Sequence, residues 1–220
     1  MKSKQRIFVV DDHPFIRKGL CETIAAEPDL DICGEAEGWR EALEKVRDNP
    51  PDLIVLDLNL KDGNGWMLLE HLMSQGVSIP VLVLSVCDEE IYGERLLKAG
   101  ARGYLMKDAP IQEVLTAIHK ILSGYIALSE KMASRLIQNA VHPQRSAAAP
   151  MEQLSAREFQ VYEMLGRGLS NKKIGENLGV SHKTVGTYKA RLMEKLGDRT
   201  TPELMRHARQ LLAMQDKPGQ

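Results

Sequence analysis

Short apolar runs alternate with amphipathic segments through the first 125 residues of this 220-residue chain, and this alternation restricts its fold more than any other feature. The apolar runs are too short and too rich in β-branched residues for helices, so they predict strands over 7–10, 31–33, 53–56, 81–84 and 103–106. Helical spacing between the runs predicts helices over 14–26, 39–48, 66–75, 89–99 and 111–123. Five strand–helix units in succession indicate an α/β doubly wound fold with a five-stranded parallel sheet covered on both faces.

The strand signal stops after Gly124, and a different organisation follows. Residues 129–140 predict one more helix, and 141–150, which are rich in Pro and Ala, predict a linker. From Met151 onward the pattern is helical, and each predicted helix begins at a capping residue, namely Ser155, Ser170, Ser181 or Thr201. We therefore expect an α/β domain over 1–125, a linker over 126–150 that contains a helix and the Pro/Ala-rich segment, and a small all-α domain over 151–220.

The formal net charge of −1 conceals an asymmetry between the two predicted domains. Residues 1–150 contain 17 Lys and Arg against 22 Asp and Glu, whereas residues 151–220 contain 12 against 8. The last part therefore carries a net charge of +4 and the first part −5. A basic helical domain behind an acidic one favours a nucleic-acid partner for the basic part.

Cysteine usage and hydropathy predict the cellular compartment. The three cysteines, Cys21, Cys33 and Cys87, show neither a CxxC motif nor Cys/His metal spacing, so we expect free thiols in a reducing compartment. No apolar run approaches the length of a membrane helix or of a signal-peptide core. These features predict a cytoplasmic protein without a membrane partner.

Polar side chains follow four of the predicted strands at their carboxyl ends. Asp11 and Asp12 follow the first strand, Asp57 the third, Ser85 the fourth and Lys107 the fifth. Because ligands of open parallel sheets bind beyond the carboxyl ends of the strands, we expect these groups to meet at one rim of the sheet. The rim would then hold three carboxylates, one hydroxyl and one ammonium group.

This set of groups suits phosphoryl transfer. Three neighbouring carboxylates repel one another and stay ionised only beside a compensating cation, and their hard oxygen ligands fit Mg²⁺. The cation and Lys107 would neutralise the incoming phosphoryl oxygens, and Ser85 would donate a hydrogen bond to them. Asp57 follows the predicted central strand between the other groups, so it is the expected nucleophile and would form an aspartyl phosphate.

The first domain resembles the flavodoxin-like receiver domain of bacterial two-component response regulators. The resemblance covers about residues 5–125 and is carried by segments 10–14 (VDDHP), 52–58 (DLIVLDL), 84–85 (LS) and 103–108 (GYLMKD). It implies that Asp57 accepts a phosphoryl group from a sensor histidine kinase, while Ser85 and Lys107 contact that group. It also implies that Asp12 binds Mg²⁺ directly, Asp11 through water and Asn59 through its main-chain carbonyl.

Two interpretations of Tyr104 remain open. The ring is a strand aromatic packed on the last helix of the domain, or it is a switch residue that turns inward when Ser85 moves toward the phosphoryl group. The second interpretation is implied by the receiver resemblance.

Residues 170–196 are typical of a helix-turn-helix. Gly179 permits a sharp bend between two capped helical segments, and the second segment places Lys183, Thr187 and Lys189 opposite an apolar stripe. Such side chains near a helix N-terminus suit phosphate and base-edge contacts. Lys172 and Lys173, at the start of the preceding helix, suit backbone phosphates.

The helical domain also resembles a known family, the LuxR-type helix-turn-helix, through segments 154–158 (LSARE), 168–175 (GLSNKKIG), 183–185 (KTV) and 195–196 (KL). With a receiver in front, nearly the whole chain is similar to NarL/FixJ-class response regulators. The resemblance implies DNA contacts at Lys183, Val185 and Lys189, binding to double-stranded promoter DNA, and RNA polymerase as a further partner. It also implies that phosphorylation leads either to a homodimer or to release of the DNA-binding domain from the receiver, and the sequence leaves both outcomes open.

The combined interpretation is a phosphorylation-controlled transcription regulator, whose only expected chemistry is self-phosphorylation and slow autodephosphorylation. One alternative is a DNA-binding regulator that uses its receiver for protein contacts without phosphate, although the complete set of acidic, hydroxyl and lysine residues argues against it. Another is a phosphatase with an Asp nucleophile. Such enzymes carry a second Asp two residues later, where this chain has Asn59.

Overall fold

A computed structural model of the chain describes residues 3–141 and 150–215. The chain divides into two compact units, Met1–Ser134 and Arg135–Gln220. None of the helices in the described parts combines the length and apolarity that a membrane-spanning helix requires.

The first unit contains a five-stranded parallel sheet, which confirms the predicted fold class. Its strands are β1 (Gln5–Val10), β2 (Leu30–Ala36), β3 (Leu53–Leu56), β4 (Val81–Ser85) and β5 (Gly103–Met106). They lie in the order β2-β1-β3-β4-β5, and every neighbouring pair is parallel. The central strand is therefore β3, and its carboxyl end lies between those of β1 and β4.

Helices cover both faces of this sheet. They are α1 (Pro14–Ala25), α2 (Trp39–Asp48), α3 (Trp66–Ser74), α4 (Glu89–Lys98) and α5 (Ile111–Leu122). Ile7 and Val9 of β1 belong to a core cluster with residues of α1 and α5, while Phe8 and Val10 are also buried. Successive strand residues point to opposite faces, so burial of all four explains why the strand sequences are apolar without alternation.

The structure modifies the predicted elements in two places. Strand β2 is longer than the predicted 31–33, because pairing with β1 continues to Ala36 through a register shift near Ile7 and Phe8. A short antiparallel hairpin, Asn59–Leu60 paired with Gly63–Asn64, also follows β3, and it was not among the predicted elements.

Helices make up the rest of the described chain. After α6 (Glu130–Val141), which confirms the predicted helix over 129–140, residues 142–149 of the predicted linker lie outside the described residues. A 3₁₀ turn (Pro150–Gln153) precedes α7 (Ala156–Gly166), α8 (Asn171–Leu178), α9 (His182–Leu196) and α10 (Thr201–Gln215). The core of these helices includes five fully buried residues, Phe159, Ile174, Val185, Leu192 and Leu204.

Candidate functional site

The carboxyl ends of β1, β3, β4 and β5 bring the predicted polar groups together. The Nζ atom of Lys107 lies 2.7 Å from Oδ2 of Asp11 and 2.7 Å from Oδ2 of Asp57. The main chain holds the same rim, because the Asp57 N–H donates to the Val10 carbonyl and the Lys107 N–H donates to the Ser85 carbonyl. One lysine thus lies between two buried carboxylates that come from different strands.

Burial and pairing act against each other at this site. Burial raises the pKa of Asp57, and the hydrogen bond and positive charge of Lys107 only partly oppose that rise. Burial also lowers the pKa of Lys107, but its hydrogen bonds to Asp11 and Asp57 outweigh burial and leave this pKa above its usual value. Lys107 therefore carries its charge, while the acidic cluster retains an excess of negative charge that a further cation would offset.

The acidic cluster fits a divalent cation. Asp11, Asp12, His13 and Asp57 each offer one ligand atom, and these atoms lie within 4.8 Å of one another. Among the described residues, the buried Oδ1 of Asp57 has no hydrogen-bond partner, so one lone-pair face of this carboxylate is available. Three carboxylates provide the oxygen ligands that Mg²⁺ prefers.

His13 is a residue of the site that the sequence did not reveal. Its Nδ1 atom lies 2.8 Å from Oδ1 of Asp12, and its main-chain N–H donates to Oδ1 of Asp11 at 2.8 Å. In the sequence, only its position directly after Asp11 and Asp12 indicates that His13 lies near the site. That signal is weak, because a single histidine beside two aspartates is common on solvated surfaces.

The hairpin after β3 is fastened to α2 through Asp62, for which the sequence suggested no role. Its Oδ1 accepts a hydrogen bond from the Trp39 N–H at 3.0 Å, and its Oδ2 accepts one from the Arg40 N–H at 3.1 Å. Asp62 therefore satisfies two of the free N–H groups at the start of α2, although it is remote in sequence. Asn59 also lies in this hairpin, and its side-chain amide donates to Sγ of Cys87 at 3.9 Å. The role of its main-chain carbonyl as a Mg²⁺ ligand stays a prediction.

Gly65 permits a close approach that only a glycine tolerates. A Cβ atom at this position would lie 2.0 Å from the Asp57 carbonyl oxygen, far inside van der Waals contact. The Gly65 N–H also donates to the Leu58 carbonyl at 2.7 Å. The start of α3 is thereby packed directly against the main chain of Asp57.

Ser85 and Tyr104 meet at the loop between β4 and α4. Both side chains are fully buried. The Ser85 Oγ accepts a hydrogen bond from the Cys87 N–H at 3.3 Å, and the Tyr104 hydroxyl donates to the Cys87 carbonyl at 2.5 Å. Burial raises the pKa of Tyr104 above its usual value, so the hydroxyl stays protonated as a donor. The two predicted switch residues thus share one peptide segment as a partner.

Helices α8 and α9 form a helix-turn-helix. Gly179 ends α8 in the left-handed conformation at φ +66°. A residue with a side chain would be strained in this conformation, so glycine is favoured here. A Cβ atom at Gly175 would lie 2.6 Å from the Val180 carbonyl oxygen, so the turn packs closely on α8. Ser170 caps α8 by accepting from the Lys173 N–H, and Ser181 caps α9 by accepting from the Thr184 N–H.

The predicted DNA-contacting side chains of this motif are mostly accessible. Lys172, Lys173, Lys183 and Thr187 are exposed. Lys189 is half-buried, and its Nζ lies 3.4 Å from Oδ1 of Asn171. Lys172 and Lys173 place ammonium groups in the first turn of α8, and Lys183 places one in the first turn of α9, where anions are favoured.

Val185 was wrongly expected to contact DNA. Its side chain has 0 % exposure and lies on the buried stripe of α9, seven residues before the equally buried Leu192. A residue without accessible surface contributes to the core rather than to base contacts. The exposed neighbour Thr187 occupies the accessible face instead.

Comparison with known families matches both parts of the chain. Residues 7–119 match the family described as "Response regulator receiver domain", and residues 152–208 match "Bacterial regulatory proteins, luxR family". The chain is a two-component response regulator. Similar proteins include the oxygen regulatory protein NreC of Staphylococcus epidermidis, which is 30% identical over 92% of this chain and 96% of that protein. The response regulator GacA of Pseudomonas viridiflava is 33% identical over 90% of this chain and 92% of that protein.

Solved structures agree with this family. A LuxR-family response regulator from Aurantimonas sp. SI85-9A1 is 30% identical, has a TM-score of 0.59 and covers 63% of this response regulator and 99% of its own chain. RcsB from Salmonella enterica serovar Typhimurium, solved bound to promoter rprA, has a TM-score of 0.73. It is 20% identical over 94% of this chain and 98% of its own, so it supports the fold alone.

Response regulators have histidine kinases and promoter DNA as partners, and they act mainly as transcription regulators rather than as catalysts. The receiver and LuxR-type domains predicted from the sequence are confirmed by the two family matches.

Proposed function

We propose that Asp57 accepts a phosphoryl group from a sensor histidine kinase in a Mg²⁺-dependent reaction, and that this controls sequence-specific promoter binding by α8 and α9. One observation carries the proposal. The Asp57 carboxylate is held by Lys107 through Oδ2, while its buried Oδ1 has no hydrogen-bond partner among the described residues. Lys107 thus anchors one oxygen of Asp57, and the other is a buried acceptor without a donor in the described part of the chain, which supports a further ligand or bond at this carboxylate.

The residues of the site support each part of an in-line transfer. Asp11, Asp12 and Asp57, with the main-chain carbonyl of Asn59, would hold Mg²⁺, which supplies charge neutralisation for the phosphoryl oxygens. A carboxylate oxygen of Asp57 forms the new bond to phosphorus as the bond to the kinase histidine nitrogen breaks, and that nitrogen keeps the electron pair. The product is an acyl phosphate on Asp57.

Lys107 and Ser85 are proposed to bind the transferred group. Lys107 already lies within 2.7 Å of Asp57, so its ammonium group needs only a small movement to contact a phosphoryl oxygen. Ser85 would donate its hydroxyl hydrogen to a phosphoryl oxygen, and its movement toward that oxygen would lengthen the hydrogen bond that it accepts from the Cys87 N–H. Tyr104 would respond through the same loop, because its hydroxyl binds the Cys87 carbonyl. This supports the switch interpretation of Tyr104.

The further roles complete the proposal. Residues 1–125 form the receiver, 126–150 the linker and 151–220 the DNA-binding domain. Phosphorylation favours a homodimer that places two copies of α9 on a double-stranded promoter site, and RNA polymerase is a further partner. Lys172, Lys173, Lys183, Thr187 and Lys189 are proposed to contact the DNA. Phosphorylation and DNA binding are proposed to take place in the cytoplasm.

Intact mass measurement tests the proposal directly. The full chain is incubated with acetyl phosphate, a small phosphoryl donor, with and without Mg²⁺, beside an Asp57→Asn variant. We expect one phosphoryl adduct that requires Mg²⁺ and is lost in the variant. A folded wild-type protein that gives no adduct with this donor or with histidine kinases would instead support the phosphate-independent regulator.

Substitution of Gly186 tests the contact between α9 and DNA. An added Cβ atom meets no atom within 4 Å, so Gly186→Ala should stabilise the helical domain by about 1 kcal/mol through helix propensity. We expect promoter DNA binding to weaken, because the methyl group fills space where the helix approaches the DNA backbone. Gly19→Ala is the matched control, since this exposed helical glycine is equally open but lies in α1. Undiminished DNA affinity in a stabilised Gly186→Ala protein would contradict the close approach.

A further inference from the structure

Arg17, in the first turns of α1, makes three directed contacts around the phosphoacceptor rim. Its Nη1 donates to the Asp11 carbonyl oxygen at 2.7 Å, and its Nη2 donates to Oε1 of Glu37 at 2.9 Å. Its Nε donates to Oε2 of Glu35 at 3.3 Å. The side chain is only 11% exposed, so the guanidinium is fixed in a pocket formed by β1 and the end of β2.

The contact with Asp11 fixes main chain rather than a side chain. The Asp11 N–H donates to the Ala36 carbonyl at 3.1 Å, and the Asp11 carbonyl accepts from Arg17. Asp11 is 2% exposed, so water has little access to replace the guanidinium as donor. This carbonyl belongs to the peptide that joins Asp11 to Asp12. Its orientation therefore determines the direction in which the Asp12 carboxylate leaves the main chain.

A second contact chain reaches the opposite side of the rim. The other oxygen of Glu37 accepts from Nζ of Lys61 at 2.8 Å, and Lys61 lies in the hairpin turn two residues after Asn59. The hydrogen bonds from Lys61 and Arg17 hold the pKa of Glu37 below its usual value, so Glu37 stays charged between them. Arg17, Glu37 and Lys61 thus connect the main chain after β1 to the main chain after β3.

An ordinary surface ion pair would have different geometry. Lys18, the next residue, lies 3.8 Å from Glu22 with both side chains at least 70% exposed, and such pairs contribute little. The planar guanidinium group of Arg17 instead directs three N–H donors at three separate acceptors, and the single ammonium group of a lysine cannot reproduce this arrangement.

We propose that Arg17 is a positioning residue for the divalent-cation site, which it serves by fixing the Asp11–Asp12 peptide in the orientation that aims both carboxylates at the cation. The inference rests on the proposed Mg²⁺-dependent function and deepens it. Outer groups of this kind orient metal ligands, and their loss commonly lowers metal affinity tenfold to a hundredfold, so we expect an effect of about tenfold or more.

Charge and positioning make opposite predictions, which allows a clean test. If Arg17 acted only through its positive charge, its removal would reduce repulsion and strengthen cation binding. If it positions the peptide, removal weakens binding. Arg17→Lys keeps the positive charge but loses the directed guanidinium hydrogen bonds. Only the positioning role therefore predicts weaker Mg²⁺ binding in both Arg17→Ala and Arg17→Lys.

The experiment is a Mg²⁺ titration of the full chain followed by tryptophan fluorescence, with Trp66 in α3 and Trp39 in α2 as reporters. We expect both Arg17 variants to bind Mg²⁺ about tenfold or more weakly than wild type. Lys18→Ala, the matched control on the same helix, should bind as wild type does. Equal or tighter Mg²⁺ binding by folded Arg17→Lys would overturn the inference.

Adduct formation from acetyl phosphate supplies a second readout. A positioning role raises the Mg²⁺ concentration for half-maximal rate in Arg17→Lys but changes the rate at saturating Mg²⁺ much less. Equal Mg²⁺ dependence in wild type and variant overturns the inference. A wild-type protein that forms no adduct overturns the proposed function, whereas the fluorescence affinities still decide the role of Arg17. A wild-type protein that shows no Mg²⁺ binding overturns both.

Glu37→Gln keeps the test decisive if the Arg17 variants unfold. The Glu37 side chain is half-buried, and its substitution retains the contact between Arg17 and Asp11 but weakens the link to Lys61. We expect Mg²⁺ affinity between that of wild type and that of the Arg17 variants, with an unchanged thermal transition. Wild-type affinity in Glu37→Gln together with unfolded Arg17 variants would mean that Arg17 is purely structural.

Discussion

Replacement of Lys107 by methionine is expected to lower the free energy of unfolding by about 3 kcal/mol at neutral pH without Mg²⁺, because an uncompensated buried charge is costly. The variant would leave the carboxylates of Asp11 and Asp57 buried beside each other without the ammonium group that now lies 2.7 Å from each. Denaturant unfolding in the presence of EDTA measures the difference. Addition of Mg²⁺ should restore much of the loss.

The pH dependence of this loss follows from the two pKa shifts. The pKa of Asp57 is already raised by burial, and loss of Lys107 raises it further, so ionisation of Asp57 destabilises the folded variant as the pH rises above about 4. Lys107 has a raised pKa in the folded wild type, so its contribution is complete below about pH 10 and is lost as the pH rises through the folded pKa. The deficit of the variant should therefore be largest between these limits.

Lys98→Met is the matched control for Lys107. This lysine is 74% exposed and pairs with Glu94 one helical turn away. Its replacement should change stability by less than about 0.5 kcal/mol. If Lys107→Met lowered the free energy of unfolding by no more than this, the prediction would be wrong. Water or a rearrangement of the site would then compensate the charges of the two carboxylates.

Replacement of Glu158 by alanine is expected to destabilise the helical domain by about 2–3 kcal/mol. The buried Glu158 carboxylate accepts from the Ser155 N–H at 2.8 Å and from Nζ of Lys195 at 2.7 Å. One side chain therefore completes the capping box of α7 and holds the C-terminal turn of α9. Calorimetry of the full chain should show the transition of the helical unit lowered by roughly 10 °C.

The sign of the pH effect is opposite to that at Asp57. Burial acts to raise the pKa of Glu158, but its hydrogen bonds with Lys195 and Ser155 outweigh burial and lower it. Its stabilising contribution is therefore complete above the unfolded pKa of about 4.3 and is lost as the pH falls through the folded value. The difference between wild type and Glu158→Ala should shrink only in acid.

Glu176→Ala provides the comparison. Glu176 is 52% exposed and lies 3.5 Å from Lys173, which is 61% exposed, so its removal should change stability by less than about 0.5 kcal/mol. Equal effects of Glu158→Ala and Glu176→Ala would show that the buried carboxylate contributes no more than a surface ion pair.

The sequence by itself determined the α/β fold and the rim that holds Asp11, Asp57, Ser85 and Lys107. Strand periodicity is a local property, and strand polarity in a parallel sheet places every carboxyl end at one edge, so the neighbours of Asp57 follow without any long-range information. The caps at Ser155, Ser170 and Ser181 were equally readable, because a cap and the N–H it accepts from lie within one turn.

Only the tertiary structure decided which groups hold the rim in place. Arg17 reaches the Asp11 carbonyl, Asp62 caps α2 from 23 residues away, and Gly65 approaches the main chain of Asp57. The LuxR-type resemblance implied a DNA contact for Val185, yet this side chain is buried in the core of its unit. The contacts of Arg17, Asp62 and Gly65 depend on how one element rotates and packs against another, and no local spacing in the sequence records that orientation.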